Sequence, residues 1–404
     1  MVTLCPAYAS KRLVFYAAFW SAQHASSDYV ISVSGLACFP SRELIRPAIL
    51  TTPSRLRAFN SFQSSLREWY PLPSPDCRSA DGREIVQLEA KQVFACENTL
   101  GEAPMFHPTE KALYWLDING KKLHKFKPSS TLTVPVAGAW QTQEWDLPEI
   151  AGSFAFTKEQ DLFLMGFTSG LSFWVASTGE VEKICDFEPG LNTRPNDAKC
   201  DRTGNFIIGG YNNNHREDKL NITGLWRLSK KTLELEEILD YKFRCSNTVA
   251  FSPAGDDMYF CDTPTREIFK FKYSEAGKLT DRQDFYRMAA DDEGGPDGAT
   301  VDSEGGLWEA QAGNWRVVRH RPLDGAIDYE VRLPFNNPTS VAIGGNVLFI
   351  TTARHRLNEE ERAAQPGAGQ LWAVQLPSHL RGVAEPLFAG HRRGDVQTEK
   401  MGPR

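Results

Sequence analysis

The 404-residue sequence is sparing with the residues that announce specialised chemistry. Its eight cysteines are too few to staple a chain of this length, and none stand in the C-x-x-C spacing of zinc or redox sites. Mostly free, buried thiols are expected. The eight histidines show no paired spacing; His107, His124 and His320 lie within hairpins and read as surface residues. There is no H-E-x-x-H helix motif, no G-x-S-x-G elbow and no Gly-Lys-Ser/Thr phosphate loop, and Asp291-Asp292-Glu293 does not fit an EF-hand loop. These gaps speak against a zincin, a serine-elbow hydrolase and a P-loop nucleotide enzyme. No apolar run approaches the roughly 20 residues of a membrane-spanning helix. Positive charge is not in excess: 45 Lys and Arg against 51 Asp and Glu leave a net charge of −6, so nothing advertises a nucleic-acid partner.

What remains is an ordinary globular composition, 41% apolar, 24% charged and 11% aromatic. The N-terminal stretch differs from the rest. From Met1 to Arg42 the only acid is Asp28, while Lys11 and Arg12 precede an apolar run from Leu13 to Trp20. Basic, Ser-rich and acid-poor is the pattern of a targeting segment, and a disordered extension is the alternative. Pro71, Pro73 and Pro75 read as a linker. The expected organisation is therefore an extension over 1–82, a folded domain over 83–390 and a flexible basic tail over 391–404.

Within the folded part a unit of 40 to 50 residues repeats six times. In each, a short β-type run ends at Phe106, Phe156, Cys200, Phe251, Val301 or Ile343. A turn rich in Pro, Asp, Gly or Lys follows, then a second apolar run such as Leu113-Tyr114-Trp115, Phe206-Ile207-Ile208 or Leu348-Phe349-Ile350. Frequent turn signals with little helical periodicity argue for an all-β fold. A four-stranded sheet cannot bury both faces alone, so six such sheets stacked around an axis make a six-bladed β-propeller. A sandwich of similar hairpins is the competing arrangement. Glu84 to Ala95 alternates partly and is the expected outer strand that closes the ring on the last blade.

Stepping back four residues from the end of each first run reaches Glu102, Gly152, Asn196, Asn247, Asp297 and Thr339, separated by 50, 44, 51, 50 and 42 residues. In a propeller these positions are related by rotation and open onto the central channel. Taken singly, each is an ordinary turn residue. Together, two carboxylates and two amides face one another, and a cation would relieve the repulsion. All-oxygen donors select Ca²⁺, Mg²⁺ or Mn²⁺, with Zn²⁺ less favoured in the absence of His and Cys.

At these residues the sequence resembles the SMP-30/gluconolactonase/regucalcin family. The resemblance covers roughly residues 90–390. It rests on Leu100-Gly101-Glu102-Ala103-Pro104, Arg194-Pro195-Asn196-Asp197, Ser246-Asn247-Thr248, Pro296-Asp297-Gly298 and Pro338-Thr339-Ser340, in that order. It implies that Glu102, Asn247 and Asp297 ligate one divalent cation (Ca²⁺, Mg²⁺, Mn²⁺ or Zn²⁺). It implies too that Asn196 and Arg194 bind substrate hydroxyls, and that the substrate is a sugar lactone such as gluconolactone. In animals such a reaction is a step toward ascorbate. Three glycines of the family pattern are replaced, by Ala103, Ala198 and Thr248, and a further polar position falls loosely on Asn213 or Asn214.

The expected activity is metal-dependent hydrolysis of an aldonolactone, with Asp297 as general base toward water. A non-catalytic, calcium-binding regucalcin-like propeller is the alternative, and a relative acting on a phosphotriester or a strictosidine-like ester fits the motifs less well. A monomer is expected. The compartment is the cytoplasm, or an organelle if the extension is a targeting segment.

Overall fold

The computed structural model describes residues 82–128, 134 and 140–392, together with the backbone of two strands nearer the N-terminus. Those two, Phe19–Ala25 and Asp28–Ser34, pair antiparallel within a unit, Met1–Cys77, that is separate from the rest. The expected targeting segment and linker otherwise lie outside the described residues, as does the tail from 393 onward.

The remainder is a six-bladed β-propeller. Its blades begin with the inner strands Gly101–His107, Ala151–Phe156, Thr193–Cys200, Ser246–Phe251, Gly295–Val301 and Pro338–Gly344. Each inner strand pairs with the strand after it, and the sheet grows outward in antiparallel order. The turns at the ends of the inner strands are chemically alike in blades 3, 4 and 5. Gly204, Gly255 and Gly305 donate backbone bonds to the carbonyls of Asp201, Ser252 and Asp302, with φ of 90°, 81° and 84°. That left-handed backbone is where glycine avoids the Cβ penalty.

The unbroken apolar runs have a geometric reason. Successive side chains of a strand point to opposite faces, and in a propeller both faces of a blade are covered by neighbours. Tyr114 therefore packs with Phe154 and Phe163 of blade 2, while Leu113 and Trp115 pack with Phe349 of blade 6. Tyr259 faces Leu307 of blade 5 while Met258 and Phe260 face Ile207 of blade 3. Six apolar clusters result, one between each pair of consecutive blades.

The ring closes through the segment expected to do so, but that segment is divided. Ala90–Phe94 is the outer strand of blade 6, antiparallel to Leu371–Gln375. Val86–Leu88 instead adds a fifth strand to blade 5, parallel to Ile327–Arg332. One stretch of chain thus clasps two blades. The C-terminal stretch ties others. Gly382 bridges to Asp302 of blade 5, Lys199 of blade 3 pairs with Glu385 at 3.2 Å, and the Phe388 amide donates to Phe156 of blade 2 at 2.8 Å. All of these lie at the ends of inner strands, so this stretch crosses the channel at the end opposite the register residues. Arg392 is held by Glu180 and Glu182, each at 2.6 Å.

Two histidines depart from the expected surface placement. His124 is buried and stacked on Trp115, with ring centroids 4.9 Å apart. His320 is fully buried between the Gly325 carbonyl at 2.9 Å and Glu309 at 3.0 Å. Both sit in third strands, whose inward faces the blade stacking covers. Among the described residues the thiols Cys96, Cys200, Cys245 and Cys261 are free, as expected.

Candidate functional site

Every inner strand breaks step with its neighbour in the same place. The pairing shifts between Glu102 and Met105, Pro195 and Ala198, Asn247 and Ala250, Pro296 and Ala299, and Pro338 and Ser340; in blade 2 it skips Gly152. A bulge re-aims side chains and ends regular pairing. All six register residues lie at or beside such a bulge. The left-handed φ of Ala103 (49°) and Thr248 (58°) belongs to these bulges, a backbone that glycine would adopt without the Cβ penalty.

Bonds between blades hold the register residues to one another. The Asn196 Nδ2 donates to the Ser246 carbonyl at 2.8 Å and to Asn247 Oδ1 at 3.3 Å. Thr248 Oγ1 donates to the Asp297 carbonyl at 2.8 Å, and Thr339 Oγ1 donates to the Gly101 carbonyl. Gly152 contributes no side chain. A Cβ there would lie 1.9 Å from the Pro195 carbonyl oxygen, so glycine is what lets blades 2 and 3 approach.

Glu102, Arg194, Asn196, Asn247, Asp297 and Thr339 all line one cleft of about 630 Å³ at this end of the channel. The structure therefore brings the sequence-derived site residues together in one cleft. Asn213 and Asn214 do not line the cleft. Asn213 instead bonds Asn192 at 3.0 Å, and the residue that strand offers to the cleft is Tyr211. The Arg194 guanidinium lies over the Tyr211 ring, 4.1 Å from its centroid, and Nη1 donates to Asn196 Oδ1 at 2.6 Å.

Burial first, and Asp197 next, push the Glu102 carboxyl up to about 8. Burial, then Glu102 and Asp197, raise Asp297 well above the usual carboxylate range. Asp197 is the residue that register counting misses. It sits one position past Asn196, accepts from the Val249 amide at 2.8 Å, and is raised to about 6, chiefly by burial. Its signal in the sequence is the acid immediately after the bulged amide.

Among the described residues no Lys or Arg comes within ion-pair distance of Glu102 or Asp297, and no three His, Cys, Asp or Glu side chains form a metal cluster. The donor set is mixed instead: two half-buried, mutually repelling carboxylates beside the amide oxygen of Asn247, whose bond from Asn196 is long. Buried charges persist when paired or when they hold a cation. These residues fit a hard divalent ion.

Residues 100–354, more than half of the chain, match the family described as SMP-30/Gluconolactonase/LRE-like region. An L-arabinolactonase of Azospirillum brasilense is 36% identical over 74% of this chain and 94% of its own length. A 6-deoxy-6-sulfogluconolactonase of Pseudomonas putida is 33% identical over 74% of this chain and 98% of its own. The solved structure of a calcium-binding protein, regucalcin, from Agrobacterium tumefaciens superposes with a TM-score of 0.66 at 22% identity, covering 75% of this chain and 99% of that one; it speaks for the fold. The chain belongs to the SMP-30/gluconolactonase/LRE-like family.

Proposed function

We propose that the protein is a divalent-metal-dependent lactonase that opens a sugar lactone at the channel mouth. The observation that carries this reading is the convergence in one cleft of two carboxylates and an amide, Glu102, Asp297 and Asn247, with Arg194 and Asn196, bonded to each other, lining the same cleft. The lactonases among its relatives support the reaction class.

When bound by Glu102, Asn247 and Asp297, a divalent cation supplies Lewis acidity toward a carbonyl oxygen and makes water more acidic. The chain's own residues do the rest. Asp297 accepts the proton of the attacking water and returns it to the ring oxygen as the ester C–O bond breaks, giving the open hydroxy acid. Arg194 is pre-oriented by stacking on Tyr211 and by its bond to Asn196, so it loses little freedom when it donates to a substrate hydroxyl. A site built to bond hydroxyls discriminates strongly against analogues that lack them. Thr248, by holding the Asp297 backbone, fixes where that carboxylate points.

The test is proton release from a panel of aldonolactones with Ca²⁺, Mg²⁺, Mn²⁺ or Zn²⁺ added to chelator-treated protein. Metal-dependent opening of at least one lactone is expected. If none opens with any of the four ions while Ca²⁺ still binds, the protein is a calcium-binding propeller and the lactonase reading is wrong.

A further inference from the structure

The chain as a whole carries a net charge of −6, yet the cleft mouth is basic. Arg194, Arg216, Lys219, Arg244, Arg266 and Arg356 all line it. They come from separate places: the chain between the second and third strands of blade 3 supplies Arg216 and Lys219, that of blade 6 supplies Arg356, and blade 4 supplies Arg244 and Arg266. The acids that line the cleft with them are Glu102, Asp297 and Glu361, and Glu361 is engaged in capping its own helix, accepting from the Asn358 amide at 3.0 Å.

Little of this positive charge is compensated. Arg244 reaches Asp262 only at 4.0 Å. Arg266 donates to the neutral carbonyls of Ala289 and Asp292 at 2.9 and 2.6 Å. Among the described residues, Arg216, Lys219 and Arg356 have no hydrogen bond or ion pair. The imidazoles between them register the field. His355 is pushed down to about 4, first by burial, then by Arg356, Arg216 and Arg194. His215 is lowered by burial and then by Arg216, Arg356 and Arg244, against the bond to the Asn212 carbonyl.

A neutral polyol needs donors and acceptors, not a ring of like charges that repel one another. Guanidinium groups match the oxygens of a carboxylate, sulfonate or phosphate in paired hydrogen bonds, and a mouth of one sign concentrates ligands of the other. We propose that the mouth recognises an acidic group, so that the preferred substrate is a lactone bearing a carboxylate, sulfonate or phosphate remote from its ring carbonyl. The substrate half of this rests on the lactonase reading; the anion-binding half does not.

The experiment compares glucono-δ-lactone with its phosphate ester at the primary hydroxyl, with the corresponding sulfonate, and with an aldaric acid lactone carrying a free carboxylate. Each is assayed with the full chain at low and at high salt. The expected ratio of kcat/KM, best acidic lactone over neutral lactone, exceeds about 10 at low salt and narrows as salt screens the mouth. Arg216→Gln and Arg356→Gln together should lower that ratio by roughly tenfold, with folding checked by melting. In parallel, the open acid bearing the phosphate should bind more tightly than the open neutral acid in calorimetry, and the double substitution should erase the difference. Which acidic arm wins identifies the group. If lactones open but the neutral one is as good a substrate, or the double substitution does not move the ratio, the inference is overturned and the lactonase reading stands. If no lactone opens yet the phosphorylated acid binds in an arginine-dependent way, the lactonase reading falls and the anion site stands. If neither happens, both fall.

Discussion

The side-chain amide of Asn196 donates to that of Asn247 at 3.3 Å although 51 residues separate them. The bond joins the bulges of two successive blades, and the register residues Glu102 and Asp297 repel each other, with Arg194 only a lesser attraction on Glu102 and, among the described residues, no Lys or Arg within ion-pair distance of either. A cation removes that repulsion. Glu102→Gln, which keeps the shape and removes one charge, should weaken divalent-ion affinity by at least about tenfold, read by calorimetric titration of chelator-treated protein. Unchanged affinity would show that Glu102 is not a ligand.

Asp297 is expected to be the base. Asp297→Asn should lower kcat by about 10² to 10⁴ while leaving the melting temperature of the metal-free protein unchanged or higher, because a desolvated, repelled carboxyl has been replaced by a neutral amide. Loss of activity through unfolding would show as a lowered melting temperature, and full activity would displace Asp297 from the role.

The bulges carry strain that a single substitution relieves. Ala103 is held at φ 49° with no compensating side-chain bond, so Ala103→Gly should stabilise by about 1 kcal/mol. Thr248 has the same backbone strain at φ 58° but spends its hydroxyl on the Asp297 carbonyl across the blade boundary. Thr248→Gly should therefore gain less than Ala103→Gly, or lose stability. Equal gains would mean that the Thr248 bond contributes nothing.

Asp201 anchors the turn that ends the inner strand of blade 3. Its carboxylate accepts from Thr203, Asn205 and, at 2.9 Å, the Tyr273 hydroxyl. Burial alone would raise its pKa, but the bonds from Asn205 and Thr203 outweigh it and hold it below the ordinary 3.8. A carboxylate held low stabilises the fold above its unfolded pKa and ceases to do so as pH falls through its folded value. Asp201→Asn should cost about 2 kcal/mol at neutral pH, and the gap from the unmodified protein in denaturant titrations should shrink as the pH drops below that range. A constant gap would point to shape rather than charge.

Phe388 lies fully buried against Phe173 of blade 2, with ring centroids 6.1 Å apart. Phe388→Ala should cost about 3 to 5 kcal/mol. A melting temperature within error of the unmodified protein would show that the C-terminal crossing adds nothing.

Much of the fold could be read from the sequence because a propeller repeats. Runs such as Leu113-Tyr114-Trp115 are apolar at every position since both faces of each blade are covered, and the six-fold recurrence of that pattern gives the blade count. The same recurrence locates Glu102, Asn196, Asn247 and Asp297. Where recurrence ends, so does legibility. Asp197 is absent from the register because a bulge admits two residues where counting allows one. Arg216, Lys219 and Arg356 escape notice because they lie in segments unique to their blades, and only the folded ring brings those segments to one mouth. The burial of His124 and His320 is hidden in the sequence because a third strand looks exposed until the neighbouring blade is set against it.

Diffraction from crystals soaked in Mn²⁺, recorded at the manganese edge, tests the shared site most directly. One strong anomalous peak should appear at the channel mouth, within bonding distance of carboxylate oxygens from both Glu102 and Asp297 and of the amide oxygen of Asn247, at roughly 2.0 to 2.6 Å. A peak held by other residues, or none in crystals of protein that binds the ion in solution, would contradict the account.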